Sequence, residues 1–444
     1  MVESMTSDQD LDELATAPIP VLLQHPRWRD TFSSLRIYNY RLYVSAQLVA
    51  NTSVWAMRIA MDWLVFELTS SITLVGVIVA LQFGPMLVLG PLGGVIADRF
   101  NKRRLLVTTQ SLNILISATL AIVTLTGHVT VWHIYVAALC IGFTAVVDAP
   151  ARSVFVNEMV GHGRLGNAIS INASIFHLGG LLGPAISGVL IAWVGAGWSI
   201  AANSFAAGAV VVTLLAMRKS ELLPSVVARR AKGQIREGWA YVLAKPTIFW
   251  PIVVAGFVAL FGMNLPVVLV AFANHVYHSG AAGYGLYSSA AAFGALTGAL
   301  SSARRMTHRL RTIIIAAGLF GLAIIATGLA PVVGVFLVCV AAIGFTRLLF
   351  ATAAESLVQM SSNRAIRGRV MANYAMVVLG GQAIGGPLVG ALTELWGVKT
   401  IMVVCGVVIT VAAIVMAILL ARSGRLSVRI RWRWKIVPMK IEVS

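Results

Sequence analysis

Twelve apolar runs, each long enough to cross a bilayer, constrain this chain more than any other feature. They fall at 42–67, 73–97, 105–126, 131–150, 168–193, 198–217, 249–273, 284–302, 312–329, 331–356, 370–393 and 399–421. A helix of about 20 apolar residues matches the ~30 Å hydrocarbon layer. Helices also close their backbone hydrogen bonds within one such segment. An all-α polytopic membrane protein of twelve transmembrane helices is therefore expected. With 58% of the 444 residues hydrophobic and only 11% charged, no soluble domain of this size hides the apolar surface.

The formal charge of +18 invites a nucleic-acid reading. The cations, however, sit in short runs between apolar segments rather than on one folded face, so no nucleic-acid partner is expected. Alternate loops carry Arg99, Lys102, Arg103 and Arg104; Arg218 to Lys245; Arg304, Arg305, Arg309 and Arg311; and Arg364, Arg367 and Arg369. The tail from Arg422 to Lys440 is basic as well, whereas Lys399 is the one cation of the opposite loops. The positive-inside bias places the cation-rich loops and both tails in the cytoplasm. Trp63, Trp132, Trp193, Trp198 and Trp396 then fall at the outer interface. The N-terminus shows no cleavable signal pattern, so the first span is expected to act as its own insertion signal. Cys140, Cys339 and Cys405 are solitary, and His275 and His278 lack carboxylate or cysteine partners, so neither a disulfide framework nor a metal site is expected.

The longest polar interruption divides the chain into a tail (1–41), a first six-helix bundle (42–217), a basic linker (218–248), a second bundle (249–421) and a basic tail (422–444). The bundles repeat. Ile141–Thr144 returns as Ile343–Thr346, Gly183 and Pro184 as Gly386 and Pro387, Trp193 as Trp396, and Gly90 and Gly94 as Gly294 and Gly298. The offset is nearly constant throughout. A duplicated array of this kind is characteristic of transporters, with the substrate path between the halves.

One stretch, Gly90 to Leu106, ends a lipid-buried segment with Asp98 followed by Arg99, Lys102, Arg103 and Arg104. A carboxylate at a helix C-terminus opposes the dipole unless positive charge is supplied. The neighbouring cations and the start of the helix near Arg367 are the expected sources. Gly90 and Gly94 form a small-xxx-small face for close helix approach. Within the spans, Arg58 and Asp62 lie one turn apart, either as a proton-coupling pair or as a static ion pair. Asp148 and Arg152 share that spacing, as a latch or a proton relay. Arg347 and Glu355 lie two turns apart, with Arg347 expected either to bind an anionic group or to balance a carboxylate. His177 reads as a packing residue. Gln47, Asn51, Gln82, Asn113, Asn264, Asn274 and Gln382 are candidates to line a polar cavity.

The run Gly94-Val-Ile-Ala-Asp98-Arg99-Phe-Asn-Lys102-Arg103 resembles the loop 2–3 signature of the major facilitator superfamily. Over essentially its whole length the chain is similar to that superfamily's bacterial drug and siderophore efflux branch, which includes enterobactin and macrolide exporters. Asn101 stands where the family usually has glycine, and it also tolerates a left-handed turn. Ser302 stands where Asp98 would repeat. Gly179, Gly183, Pro184 and Gly188 resemble the family's antiporter motif, with Ser170 and Ser187 at two of its glycine positions. The resemblance further implies that Asp148 joins Arg99 or Arg103 in a gate network.

These features point to a secondary active efflux transporter in a bacterial inner membrane, a proton-coupled antiporter that works as a monomer on small amphipathic molecules. A proton-coupled importer of the same fold and a non-transporting membrane receptor or scaffold are the alternatives. No Gly-Lys-Ser/Thr phosphate loop is present, so an ion gradient rather than ATP is the expected drive, without a cofactor. No nucleophile–base cluster suggests an enzyme.

Overall fold

The computed structural model describes residues 33–161, 164–223, 234–303, 310–363 and 366–422. The expectations that rest on 1–32, on 423–444 and on Arg304, Arg305, Arg309 and Arg364 lie outside the described residues. The first half holds α1 (Tyr38–Thr69), α2 (Ile72–Arg99), α3 (Lys102–Leu125), α4 (Val131–Val160), α5 (Leu165–Val194) and α6 (Ala196–Ala216). The second half begins with a short helix α7 (Gln234–Ala244) within the expected linker. It continues with α8 (Pro246–Gly262), α9 (Leu265–Ala271), α10 (Gly280–Ala303), α11 (Leu310–Gly328), α12 (Val333–Ser361), α13 (Arg367–Trp396) and α14 (Val398–Arg422).

Ten spans qualify on length and apolarity alone, with α8 and α9 counted as one. The other two, α1 and α10, are diluted by Arg58 and Asp62 and by glycine, alanine and serine, yet pack in the same bundle. That makes twelve. The chain runs alternately between a basic end, where Arg99, Lys102 and Arg218 lie, and a far end.

Three features depart from the sequence expectations, each for a local reason. The run expected as one helix over 249–273 is broken at Met263 and Asn264, because Pro266 cannot bond to the carbonyl one turn back. The Asn264 side-chain amide fills part of the gap, donating to the Leu260 and Ala259 carbonyls at 3.0 and 3.3 Å. Second, α4 passes through Pro150 to Val160, ten residues beyond its expected end at 150. Third, Asn101 is not left-handed: at φ −63° and ψ 118° it caps α3, its side chain accepting from the Arg104 amide at 3.1 Å.

The prolines of α2 and α4 explain how the two helices pack. Pro150 withdraws the hydrogen bond to the Val146 carbonyl, and Pro85 does the same to Leu81. Gly93 lies so close to the Val146 carbonyl that an added Cβ would fall on its oxygen. Reciprocally, a Cβ on Gly142 would lie 2.8 Å from the Leu81 and Gln82 oxygens. Each freed carbonyl thus faces a glycine of the partner helix. Gly93 makes this close approach and Gly90 does not: a Cβ on Gly90 meets nothing nearer than the Met86 sulfur at 4.0 Å, while Gly94 is buried. The second half repeats the close approach without the prolines, with Gly294 against the Ala341 carbonyl and Gly344 against that of Ala291.

Candidate functional site

The two halves meet across α2–α13 and α5–α10, and glycines make both crossings possible. Gly76 and Gly386 stand backbone to backbone, and Gly390 sits over Ile72 and Thr73. On the other side a Cβ on Gly188 would lie 3.0 Å from the Gly285 Cα, and one on Gly285 would lie 2.5 Å from the Pro184 oxygen. Of the remaining antiporter-type positions, Gly179 and Gly183 pack inside the first half, against Asn51, Thr52 and Trp55 of α1. Ser187 is buried, and its hydroxyl donates to the Ala56 carbonyl at 2.8 Å.

Polar bonds tie this seal at the far end. The Glu394 carboxylate, at the end of α13, accepts from the Ser71 hydroxyl at 2.6 Å, the Thr73 amide at 3.0 Å and the Thr73 hydroxyl at 2.6 Å. It therefore caps the N-terminus of α2 from the opposite half, where the helix dipole favours an anion. Deeper in, the Tyr284 hydroxyl of α10 donates to Asp62 Oδ2 of α1 at 2.9 Å, both side chains being buried. Trp63 is half-buried, its ring stacked on Tyr284 at 6.5 Å, whereas Trp132, Trp193, Trp198 and Trp396 are exposed.

A cavity of about 590 Å³, within the size range of small-molecule sites, is lined by residues of α1 to α6, so it lies in the first half and not between the halves as the duplication led one to expect. It follows α1 from Met61, next to Asp62, back to Tyr43 near the basic end, with Arg152 and Val156 of α4 beside it. The expected polar residues Gln47, Asn51, Gln82 and Asn113 do line it, and the structure adds Tyr43, Gln110, Asn172 and Asn203. Asn264 is instead committed to the α8–α9 break, and Gln382 donates to the Met263 carbonyl at 3.5 Å.

The charged residues sort differently from their sequence spacing. Asp148 and Arg152 do pair, with Arg152 Nη2 and Nε donating to Oδ2 at 2.6 and 3.0 Å. Thr109 and Gln110 donate to the other carboxylate oxygen at 2.7 and 2.9 Å. These partners occupy Asp148, so it is not joined to Arg99 or Arg103 here. Arg103 caps the last turn of α6, donating to the Leu214 and Leu215 carbonyls at 2.6 and 2.9 Å, while Lys102 sits 3.9 Å from Glu158 and Arg99 is exposed. Asp98 ends α2 as expected, and its side chain lies outside the described residues. Its counterpart Ser302 shares a 2.7 Å hydrogen bond with Thr352.

Arg58 and Asp62 occupy one face without forming an ion pair. The guanidinium lies 5.3 Å from the centroids of both Trp55 and Phe83, whereas Asp62 turns to Tyr284. Arg347 and Glu355 do not pair either: Glu355 is exposed, and the buried Arg347 Nε has no hydrogen-bond partner. His177 packs edge-on against Phe176. Among the described residues, no group of three histidine, cysteine or acidic side chains is placed to hold a metal. Tyr284 and Glu394 went unnoticed in the sequence. An acid in an otherwise charge-poor loop was a usable signal for Glu394; a tyrosine in an apolar helix offered none.

Comparison with known proteins agrees with this geometry. The family model described as transmembrane secretion effector matches residues 29–442. The enterobactin exporter EntS of Shigella boydii serotype 4 (strain Sb227) is 26% identical over 359 residues, covering 80% of this chain and 85% of that protein. The EntS of Escherichia coli O1:K1 / APEC gives the same figures. Among solved structures, a bacterial homologue of the human lysosomal transporter Spinster superposes with a TM-score of 0.66 at 15% identity, over 90% of this chain and 98% of that one. The nucleoside transporter NupG gives a TM-score of 0.68 at 11% identity, over 86% and 99%. The relatives are transporters rather than enzymes, and this chain is a multi-pass membrane transporter that belongs to the transmembrane secretion effector family of the major facilitator superfamily.

Proposed function

We propose that the protein is a proton-coupled antiporter of a bacterial inner membrane, exporting small amphipathic molecules of drug or siderophore type. It acts as a monomer without a cofactor, rocking its two halves against each other. One observation supports this reading above the others: the cavity runs along α1 from Met61, beside the buried Asp62–Tyr284 contact, to Tyr43 near the basic end. The positive-inside bias assigns that end, with both tails, to the cytoplasm. In this orientation the structure is the cytoplasm-facing state, ready to load. The enterobactin exporters among the relatives support the outward direction.

Asp62 is the coupling residue in this scheme, because a carboxylate buried at the seal and held by the opposite half links its protonation to opening of the far end. Asn in its place still accepts the Tyr284 hydroxyl but cannot ionise. Asp98 and its neighbouring cations, Arg99, Lys102 and Arg103, serve the opposite state, closing on the start of α13 when the basic end shuts.

The test uses inverted membrane vesicles, a panel of amphipathic dyes and catecholates, and an imposed pH gradient. The parent protein is expected to accumulate at least one probe and to lose that accumulation with a protonophore. Asp62→Asn should retain exchange without gradient-driven accumulation. Uptake confined to right-side-out vesicles would reject the exporter, and accumulation by Asp62→Asn would move coupling to another residue.

A further inference from the structure

We infer that Arg58 is an anion anchor in the cavity, and that the cargo is therefore an amphiphile carrying a carboxylate or an equivalent acidic group. The inference rests on the reading of this cavity as the cargo site, and it adds the class of molecule. Among the residues lining the cavity, three carry charge: Arg58, Asp148 and Arg152. Arg152 and Asp148 satisfy each other through two hydrogen bonds. Arg58 has no such partner. No carboxylate among the described residues lies within 4.0 Å of it, the nearest in sequence, Asp62, being held by Tyr284. The cavity wall thus carries one positive charge with no carboxylate in contact, Asp62 one turn away acting on it only through space.

The way Arg58 is held matters as much as its charge. Trp55 and Phe83 engage the guanidinium as aromatic partners, each 5.3 Å away. Such contacts leave the N–H edge free, and Arg58 makes no hydrogen bond to any described protein group. A guanidinium fixed by aromatic rings and unbonded along its fork is preorganised to receive two carboxylate oxygens. An intramembrane cation is expensive and normally faces either a counter-charge or a function. Around it, Val54, Met57, Ile141 and Phe176 supply apolar wall for the rest of the cargo. A neutral or cationic cargo would leave the guanidinium without a contacting anion on loading, whereas an acidic amphiphile pairs with it and fills the apolar remainder. Arg347, on the second half, has a buried Nε without a hydrogen-bond partner and no carboxylate at ion-pair distance, and it supplies the internal control.

The experiment measures equilibrium binding of 2-naphthoate, its methyl ester and 2-naphthylmethylammonium to the purified full-length protein in lipid nanodiscs. The parent should bind the acid at least tenfold more tightly than the ester, and the ammonium probe most weakly. Arg58→Gln should lower naphthoate affinity about tenfold or more with little change for the ester, as expected for loss of a charge-assisted pair. Arg58→Lys should recover part of the preference. If Arg58→Gln fails to fold, Arg58→Lys together with Phe83→Leu carries the test, both being expected to lower acid affinity selectively.

Absence of naphthoate binding to the parent, an acid preference that survives Arg58→Gln, or one abolished only by Arg347→Gln each overturns the proposal. Ala173→Trp fills the cavity from an exposed wall position and tests the underlying reading. It should weaken acid and ester alike. Unchanged binding of every probe there would mean that the cavity is not the cargo site, whatever Arg58 does.

Discussion

Asp62 shows what can and cannot be learned at the scale of a residue. A carboxylate in the middle of a span announces itself, since burying one is costly and usually functional. Its partner was misassigned, because spacing alone joins it to Arg58 one turn away on the same helix. The hydroxyl that bonds it belongs to Tyr284, 222 residues along the chain. Removing that hydroxyl is a clean test. Tyr284→Phe leaves the ring and its stacking on Trp63 but deletes a buried hydrogen bond to an acidic group, about 1.5–3 kcal/mol if Asp62 is ionised. Tyr284→Phe is expected to open the far end more often and to leak protons in reconstituted vesicles. Proton flux equal to that of the parent would show that the contact is not part of the seal. Asp148 and Arg152, by contrast, were legible as a pair, because both partners lie on one helix turn.

At the scale of elements, glycine and proline act together. The sequence marks Gly90 and Gly94 as a packing face. It does not show that Pro85 and Pro150 free carbonyls against which Gly142 and Gly93 of the neighbouring helix can rest. That juxtaposition belongs to the α2–α4 crossing and places the close contact at Gly93 and Gly142. Gly93→Val should therefore lower the thermal stability of the detergent-solubilised protein, at a cost of about 1–3 kcal/mol for overpacking. Gly90→Val, facing open space, should melt close to the parent. The reverse order would restore Gly90 as the packing position. The break between α8 and α9 was legible in hindsight through Pro266, yet within a continuous apolar run hydropathy gives it no weight.

For the whole molecule, the arrangement that matters is a pair of six-helix halves pressed together at one end. Glu394 is the exposed part of that closure, bonding three donors at the start of α2 from the other half. Because it is exposed, water weakens its individual bonds, and the net effect of losing them is expected to be about 1 kcal/mol. Glu394→Ala should then shift the ratio of closed to open far ends about fivefold toward open. Spin labels at Leu68 and Leu395, both exposed at that end on opposite halves, would report the change as a longer inter-label distance. An unchanged distance distribution would leave the seal to the glycine crossings and the Asp62–Tyr284 contact.

What the sequence by itself determined was the membrane location, the twelve spans, the duplication and the family. Hydropathy, periodicity and short motifs are local properties, and local chemistry suffices for them. The Asp148–Arg152 pair and the cavity residues Gln47, Asn51, Gln82 and Asn113 were within reach for the same reason. Only the tertiary structure decided which half supplies the partner of Asp62, that Arg58 rests between Trp55 and Phe83 instead of pairing, and that Glu394 caps a helix of the opposite half. Each of these depends on two segments meeting at a particular depth and rotation. The glycine crossings set that geometry, and nothing in either segment alone encodes it.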